Sequence, residues 1–206
     1  ENSLRLLTRL KNRRLHLGVT GSVACYKTAE LLRLLLSCGI HVSATLTPSA
    51  RRFISPLLFE SLGAFPVYTD MFADRDATFG HLEPGQNADA LFVVPATANT
   101  LAAMAAGLAG EMLHAQILAF SGPVPAMNPR MWMNAATQAN CTALASRGVT
   151  LVTPDSGSMA CGDTGQGRLA PVPVLLLYAL QALAPQDMIG QKVLVTLGPT
   201  REPWDG

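Results

Sequence analysis

Formal charge is scarce in this sequence, and its scarcity excludes several classes of protein. The 206 residues include 15 Lys and Arg against 14 Asp and Glu. A net charge so close to zero gives no electrostatic reason to expect nucleic acid, an anionic membrane or a polyanionic partner. We therefore expect its partner to be a small molecule or another protein, with neither nucleic acid nor membrane involved.

Long uninterrupted apolar runs are also missing. Residues 90–110 approach the length of a bilayer span, but Pro95, Thr97 and Asn99 interrupt them, and their alanines offer little apolar surface. We interpret this segment as a strand, a polar loop and a helix of small residues. No apolar stretch with a small-residue cleavage site follows the basic start of the chain, so no secretory leader is predicted.

The cysteines give no sign of metal or disulfide chemistry. The sequence has four of them, at Cys25, Cys38, Cys141 and Cys161. They show neither CxxC spacing nor the density of a secreted disulfide scaffold. We expect no metal site and a reducing, cytoplasmic compartment.

Charge is scarcest in the middle of the chain. Between Ala90 and Ser146 the only charged residues are Glu111 and Arg130. So little charge over so long a stretch indicates a surface that other subunits cover.

What the sequence does contain is a regular alternation of apolar strands and helices. The predicted strands cover 15–20, 41–47, 90–95 and 149–153, and the predicted helices cover 22–39, 49–54, 55–63, 100–107, 111–120, 133–148 and 173–183. This order predicts a Rossmann-like (flavodoxin-like) α/β fold, a three-layer sandwich with a mainly parallel sheet and helices on both faces. Ligands of such folds bind at the carboxyl ends of the strands.

The first strand leads into a loop suited to an anion. In "GVTGSVACYK", Gly21 permits a tight turn, and the Ser22 hydroxyl lies beside the free N–H groups of a helix start. The dinucleotide fingerprint GxGxxG is absent, and Thr47 and Ser49 follow the second strand where a ribose-binding acid would stand. These neutral donors favour a phosphate, with ordinary helix capping as the alternative.

Two further loops are unusually polar. "PATANT", residues 95–100, follows the most apolar strand and carries more hydrogen-bonding side chains than a single helix cap needs. "SGSMACGDTGQGRLA", residues 156–170, is rich in glycine and too polar for a core. We interpret this second segment as a flexible loop that could act as a lid.

One further segment carries a family resemblance. "PAMNPRMW", residues 125–132, resembles the PxMNxxMW motif of the homo-oligomeric flavin-containing cysteine decarboxylases. "GVTGSVACYK", "TPSARRFI", "PATANT" and "ACGDTGQGRLA" are similar to further segments of that family, in the same order. Within that family the sequence is similar to the branch that acts in the coenzyme A pathway. This resemblance implies FMN-dependent decarboxylation of 4'-phospho-N-pantothenoylcysteine to 4'-phosphopantetheine, through thioaldehyde and enethiol intermediates.

The resemblance also implies which residues form the site. It implies that His81, Asn128 and Cys161 are catalytic: His81 accepts or directs the thiol proton, Asn128 holds the carboxylate or its neighbouring amide, and Cys161 protonates the enethiol. A purely structural histidine is the alternative for His81. The implied FMN contacts are Gly21, Ser22, Thr47, Ser49, Phe53, Ala96, Thr97, Asn99 and Thr100. The implied substrate contacts are Asn128, Met131, Ala160, Gly162, Asp163 and Arg168.

The resemblance extends to partners and domain organisation. It implies a homotrimer, in some relatives assembled into a dodecamer. Residues 192–206 resemble the first strand and turn of a phosphopantothenate–cysteine ligase. We therefore assign 1–14 to an N-terminal arm, 15–186 to the decarboxylase domain, and 187–206 to a linker and the start of a ligase domain. The alternatives are a peptidyl-cysteine decarboxylase, a flavin prenyltransferase and a non-catalytic flavin-binding regulatory subunit.

Overall fold

The chain forms a parallel sheet with helices on both faces. A computed structural model describes residues 10–72, 81–120, 129–152, 155–158, 164–185 and 192. The strands are β1 Arg14–Val19, β2 His41–Leu46, β3 Val67–Tyr68, β4 Ala90–Val93, β5 Asp155–Ser158 and β6 Thr164–Arg168. The helices are α1 Cys25–Ser37, α2 Pro56–Leu62, α3 Glu83–Asn87, α4 Ala98–Ala106, α5 Met112–Leu118, α6 Pro129–Trp132, α7 Ala135–Ser146 and α8 Val172–Leu183.

The main sheet has the order β3-β2-β1-β4, and all of its strands are parallel. Val19 pairs with Leu46, and Gly18 pairs with Val93. The carboxyl ends of β1, β2 and β4 therefore lie side by side at one edge. The predicted fold class is confirmed.

One face of the sheet is wholly apolar. Leu15, Leu17 and Val19 alternate along β1 toward this face, as the period of a strand requires. They pack against the buried leucines of α1, Phe59 of α2 and the apolar side of α8. Leu10, inside the segment assigned to an N-terminal arm, is buried in the same core.

The opposite face is apolar beneath β4 and polar beneath β1 and β2. Leu91 and Val93 pack against α4, α5 and α7 in a second core. Gly18 lets α5 come close, because a Cβ at Gly18 would lie 2.7 Å from Cδ1 of Leu113. The tight packing of α5 on β1 thus depends on the absence of a side chain at Gly18.

Helix α2 shows why several boundaries could be predicted. Ser55 accepts a hydrogen bond from the Leu57 N–H and Pro56 occupies the first turn, as helix starts favour. Gly63 ends the helix with φ 106°, a left-handed conformation that favours glycine. The Ser-Pro start and the glycine stop were both readable in the sequence.

The structure differs from the prediction in several places. Strand β3 and helices α3 and α6 were not predicted, because two, five and four residues carry too little periodicity. The predicted strand over 149–153 is wrong for its described residues, which form only a single bridge at Leu151. The Val149 N–H bonds back to the Leu144 carbonyl after the left-handed Gly148, which draws the segment against α7. Finally, part of the predicted loop over 156–170 is an antiparallel hairpin, β5–β6.

A buried hydrogen-bonded chain crosses the polar part of the second face. The His16 ring is fully buried, with Nδ1 2.8 Å from the Ser43 hydroxyl and Nε2 2.9 Å from the Thr45 hydroxyl. Thr45 donates its one hydroxyl proton to Oε1 of Gln116 at 2.6 Å. His16 Nε2 then donates to Thr45, whereas the Ser43 hydroxyl can donate to Nδ1 or accept from it. Full burial favours the neutral ring, in which Nδ1 accepts from Ser43. Burial lowers the pKa of His16 to about 3, although a hydrogen bond to Gln116 acts in the opposite direction.

This buried neutral ring predicts acid sensitivity. Below pH 6.5 the unfolded chain binds a proton that folded His16 does not bind until about pH 3. The free energy of unfolding should therefore fall as the pH is lowered through this window, by about 1.4 kcal/mol per pH unit from this group. Urea unfolding of the wild type, His16→Gln and His41→Gln between pH 7 and 4.5 measures the effect. Exposed His41 is the control; equal slopes for the wild type and His16→Gln would contradict the assignment.

Candidate active site

Three loops meet at the carboxyl edge of the sheet, and the first and second touch at Gly21. A Cβ at Gly21 would lie 2.4 Å from Cβ of Ser49 and 3.0 Å from its carbonyl carbon. No side chain larger than a hydrogen fits between the two backbones. The loop after β1 and the loop after β2 therefore form one continuous surface.

Thr20 joins the first loop to the third. Its buried hydroxyl donates to the Pro95 carbonyl at 2.7 Å and accepts from the Thr97 N–H at 3.0 Å. The Thr20 side chain thus satisfies two backbone groups of the loop after β4. It fixes the position of that loop relative to the end of β1.

Two side chains of helix α1 support the same junction. Thr28 donates to the Val94 carbonyl at 2.7 Å, so α1 also holds the exit of β4. The Cys25 thiol donates to the Thr20 carbonyl at 3.1 Å. Burial raises the pKa of Cys25, which keeps it a protonated donor rather than a reactive thiolate.

The start of helix α1 follows the first loop, and the described structure shows no side-chain cap at its N-cap residue, Ala24. The Cys25 and Lys27 N–H groups donate to the Ser22 and Ala24 carbonyls. The half-buried Ser22 hydroxyl accepts from the Ala24 N–H at 3.2 Å and keeps its own proton for a further acceptor. The Ser22 hydroxyl and the positive end of this 13-residue helix can therefore attract an anion.

The second loop separates supporting from exposed side chains. Thr47 is buried, and its hydroxyl accepts from the Ala50 N–H at 3.2 Å, so it shapes the short 3₁₀ turn Ala50–Arg52. Ser49 is exposed beside Gly21, and the Phe53 ring is 59% exposed. A polar contact and an aromatic surface are therefore both presented to solvent.

The third loop shows the same division. Thr97 is the N-cap of α4, and its hydroxyl accepts from the Thr100 N–H and lies 3.1 Å from the Thr100 hydroxyl. Thr100 and Ala96 are buried, whereas Asn99 is exposed. Thr97 is thus a helix cap, and Asn99 is the side chain of this loop that can reach a ligand most freely.

The structure brings together two candidate substrate segments that are far apart in the sequence. Helix α6, from the "PAMNPRMW" segment, packs against strand β6 of the hairpin. Met131 of α6 is 53% exposed, and Arg168 is the last residue of β6. The other predicted substrate contacts and catalytic groups of these segments, Asn128, Ala160, Cys161, Gly162 and Asp163, lie outside the described residues.

His81 lies apart from the three loops in the chain path. It is half-buried and precedes α3, which leads into the amino end of β4, whereas Thr97 follows the carboxyl end of that strand. Within the described structure no hydrogen bond joins His81 to the loops. Its neighbour Glu83 accepts a hydrogen bond from the Tyr68 hydroxyl. Burial raises the pKa of Tyr68, and the hydrogen bond and charge of Glu83 act in the same direction.

A cavity of about 260 Å³ lies elsewhere, between α3 and strands β2 and β3. Ser43, Tyr68 and Glu83 are among its lining residues, and none of the predicted site residues is. Among the described residues of the predicted site, Ser49, Phe53 and Asn99 are exposed instead.

The described residues contain neither a side-chain cluster suited to a metal ion nor a helix suited to a membrane. No cluster of three or more His, Cys, Asp or Glu side chains in this part of the chain is placed to hold a metal ion. None of the described helices combines the length and apolar character that crossing a bilayer requires.

Residues 3–183 match the model of the flavoprotein family. The chain belongs to this family. The match covers the sheet, the three loops and the hairpin, and the predicted family is confirmed.

Individual relatives agree with this assignment. The chain is 41% identical over 202 residues to the coenzyme A biosynthesis bifunctional protein CoaBC of Escherichia coli K12, covering 95% of this chain and 50% of the relative. The chain thus spans about half the length of the curated relatives it matches.

Two solved structures share both the fold and appreciable sequence identity. A PPC decarboxylase variant complexed with pantothenoylaminoethenethiol matches with a TM-score of 0.71 and 29% identity, over 82% of this chain and 97% of that one. The FMN-dependent cysteine decarboxylase SpaF matches with a TM-score of 0.71 and 30% identity, over 85% of this chain and 99% of that one.

Sequence reasoning missed two residues that organise the site. Thr20 was taken as the end of a strand, although a hydroxyl residue directly after an apolar strand already indicates a loop contact. Lys27 was taken as part of a helix, although a cation in the first turn opposes the helix dipole and therefore signals a specific partner. The structure provides one: its ammonium donates to the Leu169 carbonyl.

Thr20 carries a prediction for stability. Thr20→Val keeps the shape but leaves the Pro95 carbonyl and the Thr97 N–H without their partner, which should lower the free energy of unfolding by about 2–4 kcal/mol. Thr20→Ser keeps the hydroxyl and should cost less than about 1 kcal/mol. Urea denaturation of both variants measures the difference. Equal losses for Val and Ser would show that the two hydrogen bonds contribute no more to stability than the single methyl group does.

Proposed function

We propose that this chain is an FMN-dependent decarboxylase that converts 4'-phospho-N-pantothenoylcysteine to 4'-phosphopantetheine in coenzyme A biosynthesis. The observation that carries the proposal is the meeting of three polar loops at one sheet edge, in a chain where α6 packs against the β5–β6 hairpin. Its likeness to a PPC decarboxylase and to the bifunctional CoaBC protein supports this substrate over other cysteine derivatives.

The described loops fit FMN. Gly21 keeps the backbone clear beside Ser49, and the Ser22 hydroxyl with the positive end of α1 can attract a phosphate. Phe53 and Asn99 are exposed at the same edge and suit the apolar ring and the polar chain of the cofactor. The remaining predicted contacts, Thr47, Ala96, Thr97 and Thr100, line or shape these loops.

The reaction needs an electron sink, because loss of CO₂ would otherwise leave a carbanion beside an amide nitrogen. When bound, FMN would supply a reversible acceptor for the hydride of the carbon that bears the sulfur. In our proposal the His81 imidazole takes the thiol proton, and the Asn128 amide holds the carboxylate. Met131 and Trp132 of α6 contribute apolar surface around that carboxylate, which weakens the solvation that opposes its departure.

Cys161 completes the proposed chemistry. After CO₂ leaves, an enethiol remains, and its reduction to the saturated thiol requires a proton at carbon together with the hydride that bound FMN would return to the carbon bearing the sulfur. A thiol with a pKa of about 8.5 is mainly protonated at neutral pH and can donate that proton. Asp163 and Arg168 are proposed contacts of the hairpin with the substrate, together with the backbone of Ala160 and Gly162.

We further propose that the site is shared between copies of the chain in a homotrimer, which could assemble further into a dodecamer. His81 and Thr97 lie on opposite sides of β4 in the chain path. The loops are bordered by exposed apolar side chains, with Val23 61%, Tyr26 54% and Phe53 59% exposed. A second copy covering this border would bury it and could bring its own His81 to the cofactor loops.

The proposal covers the decarboxylase step alone. The relatives that match half-length are bifunctional, and residues 187–206 are proposed to be a linker and the start of a ligase domain. We place the protein in the cytoplasm, where coenzyme A is made.

The product made by a Cys161→Ser variant tests the proposed chemistry. The FMN-loaded wild type should release CO₂ and form the saturated thiol. Cys161→Ser should release CO₂ but accumulate a product with two hydrogens fewer, since the enethiol lacks its proton donor. Mass spectrometry of the products distinguishes them, and Cys141→Ser is the matched control. Failure of the wild type to bind FMN or release CO₂ would reject the proposed function; enethiol from the wild type would favour a peptidyl-cysteine-type decarboxylase.

Mixed assemblies test the shared site. His81→Asn should bind FMN without releasing CO₂, and Gly21→Val should fail to bind FMN because its side chain would collide with Ser49. Co-refolding equal amounts of the two variants should restore about a quarter of wild-type activity. In such a mixture about one interface in four combines an intact Gly21 loop from one copy with an intact His81 from the other. An inactive mixture that still forms mixed oligomers by mass spectrometry would place the whole site within one chain.

A further inference from the structure

A buried lysine connects helix α1 to the base of the β5–β6 hairpin. The ammonium of Lys27 donates to the Leu169 carbonyl at 2.9 Å, across 142 positions of sequence. Lys27 is only 9% exposed, and Leu169, which directly follows β6, is 4% exposed. The contact is therefore an interior one, shielded from water at both ends.

Lys27 is an unfavourable residue at this position on two physical grounds. Removing an ammonium from water costs several kcal/mol unless hydrogen bonds replace its solvation. Lys27 also stands in the first turn of α1, where the helix dipole disfavours a cation. An unbranched apolar side chain would avoid both costs, so packing alone does not explain a lysine here.

Packing of α1 against α8, the helix that follows the hairpin, does not require this charge. The two helices contact each other, and Leu31, Leu32 and Leu35 of α1 belong to the same apolar core as Leu175 and Ala179 of α8. What Lys27 adds is a directional bond to one particular carbonyl, at the junction between β6 and the segment that leads into α8.

The position of that carbonyl has consequences on both sides. Helix α1 begins three residues after Ser22, and Lys27 is the third residue of the helix. Strand β6 ends at Arg168, beside the bonded carbonyl, and it packs against α6. The bond thus relates the proposed phosphate loop to both proposed substrate segments, the hairpin and α6.

We propose that Lys27 is a positioning residue for the substrate, which holds the base of the β5–β6 hairpin at a fixed place relative to the cofactor loop. This inference rests on the proposed function for its effect on substrate, but not for its effect on the hairpin. Lys27 acts through the Leu169 backbone and does not itself touch the reacting atoms.

The experiment compares Lys27→Met with Lys27→Arg in the FMN-loaded protein, and exposed Lys11→Met is the matched control. Methionine keeps most of the apolar stem without the ammonium, whereas arginine keeps the charge and the donors. Steady-state kinetics with phosphopantothenoylcysteine, FMN titration and limited trypsin digestion are measured on each. Trypsin can cleave the peptide bond between Arg168 and Leu169, and Lys27 holds the carbonyl of that same Leu169. Mass spectrometry quantifies this cleavage.

Lys27→Met should raise the initial rate of cleavage after Arg168 at least about tenfold, because a charge-assisted buried hydrogen bond is lost. KM should rise about tenfold, with kcat and the Kd of FMN within about twofold of the wild type. Lys27→Arg should remain within about threefold of the wild type in all measurements, and Lys11→Met should be unchanged.

Three results would overturn the proposal. They are an unchanged cleavage rate after Arg168 in Lys27→Met, a uniform increase at all tryptic sites, or a fall in kcat with KM unchanged. A uniform increase would show general destabilisation instead of a local role. If the wild type proves inactive, the proposed function fails, but the cleavage after Arg168 still decides whether Lys27 holds the hairpin.

Discussion

The parallel pairing of β1 with β2 and β4 is the constraint on which the rest of the structure depends. Val19 lies opposite Leu46, and Gly18 lies opposite Val93, so the three strands end at the same level. Segments separated by up to 75 positions then begin their loops next to one another. The hydrogen bonds of Thr20 to the loop after β4 and the close approach at Gly21 are possible only because this register is kept.

The two faces of the sheet serve different purposes. The apolar face gathers α1, α2 and α8 around β1, and its leucines exclude water over most of the domain. The opposite face contains the chain from Ser43 through His16 and Thr45 to Gln116, where each group satisfies a neighbour. A buried polar chain fixes directions that an apolar core leaves free, at the cost of sensitivity to acid.

Hydrogen bonds from α1 extend this organisation to the site. Its side chains reach the exit of β4 through Thr28 and the end of the hairpin through Lys27. Helix α1 therefore holds the loop after β1, the loop after β4 and the hairpin in fixed positions relative to one another. A site assembled on such an element keeps its geometry when a flexible substrate enters.

Local signals in the sequence were enough for much of the fold. Alternating apolar residues marked β1, β2 and β4, and the Ser55 cap and Gly63 stop marked α2, because these patterns follow from the geometry of single elements. β3 could not be predicted, since two residues have no period and exist as a strand only beside β2. The bridge at Leu151 replaced a predicted strand because contacts with α7 decided its backbone.

The sequence by itself determined the fold class, the flavoprotein family and the residue types at the three loops, since each depends on neighbours along the chain. Tertiary structure alone decided which hydroxyls support and which face solvent: Thr47 and Thr100 are buried, whereas Ser49 and Asn99 are exposed. It also decided that Lys27 meets the Leu169 carbonyl. Burial and long-range hydrogen bonds depend on elements distant in sequence, so no local pattern encodes them.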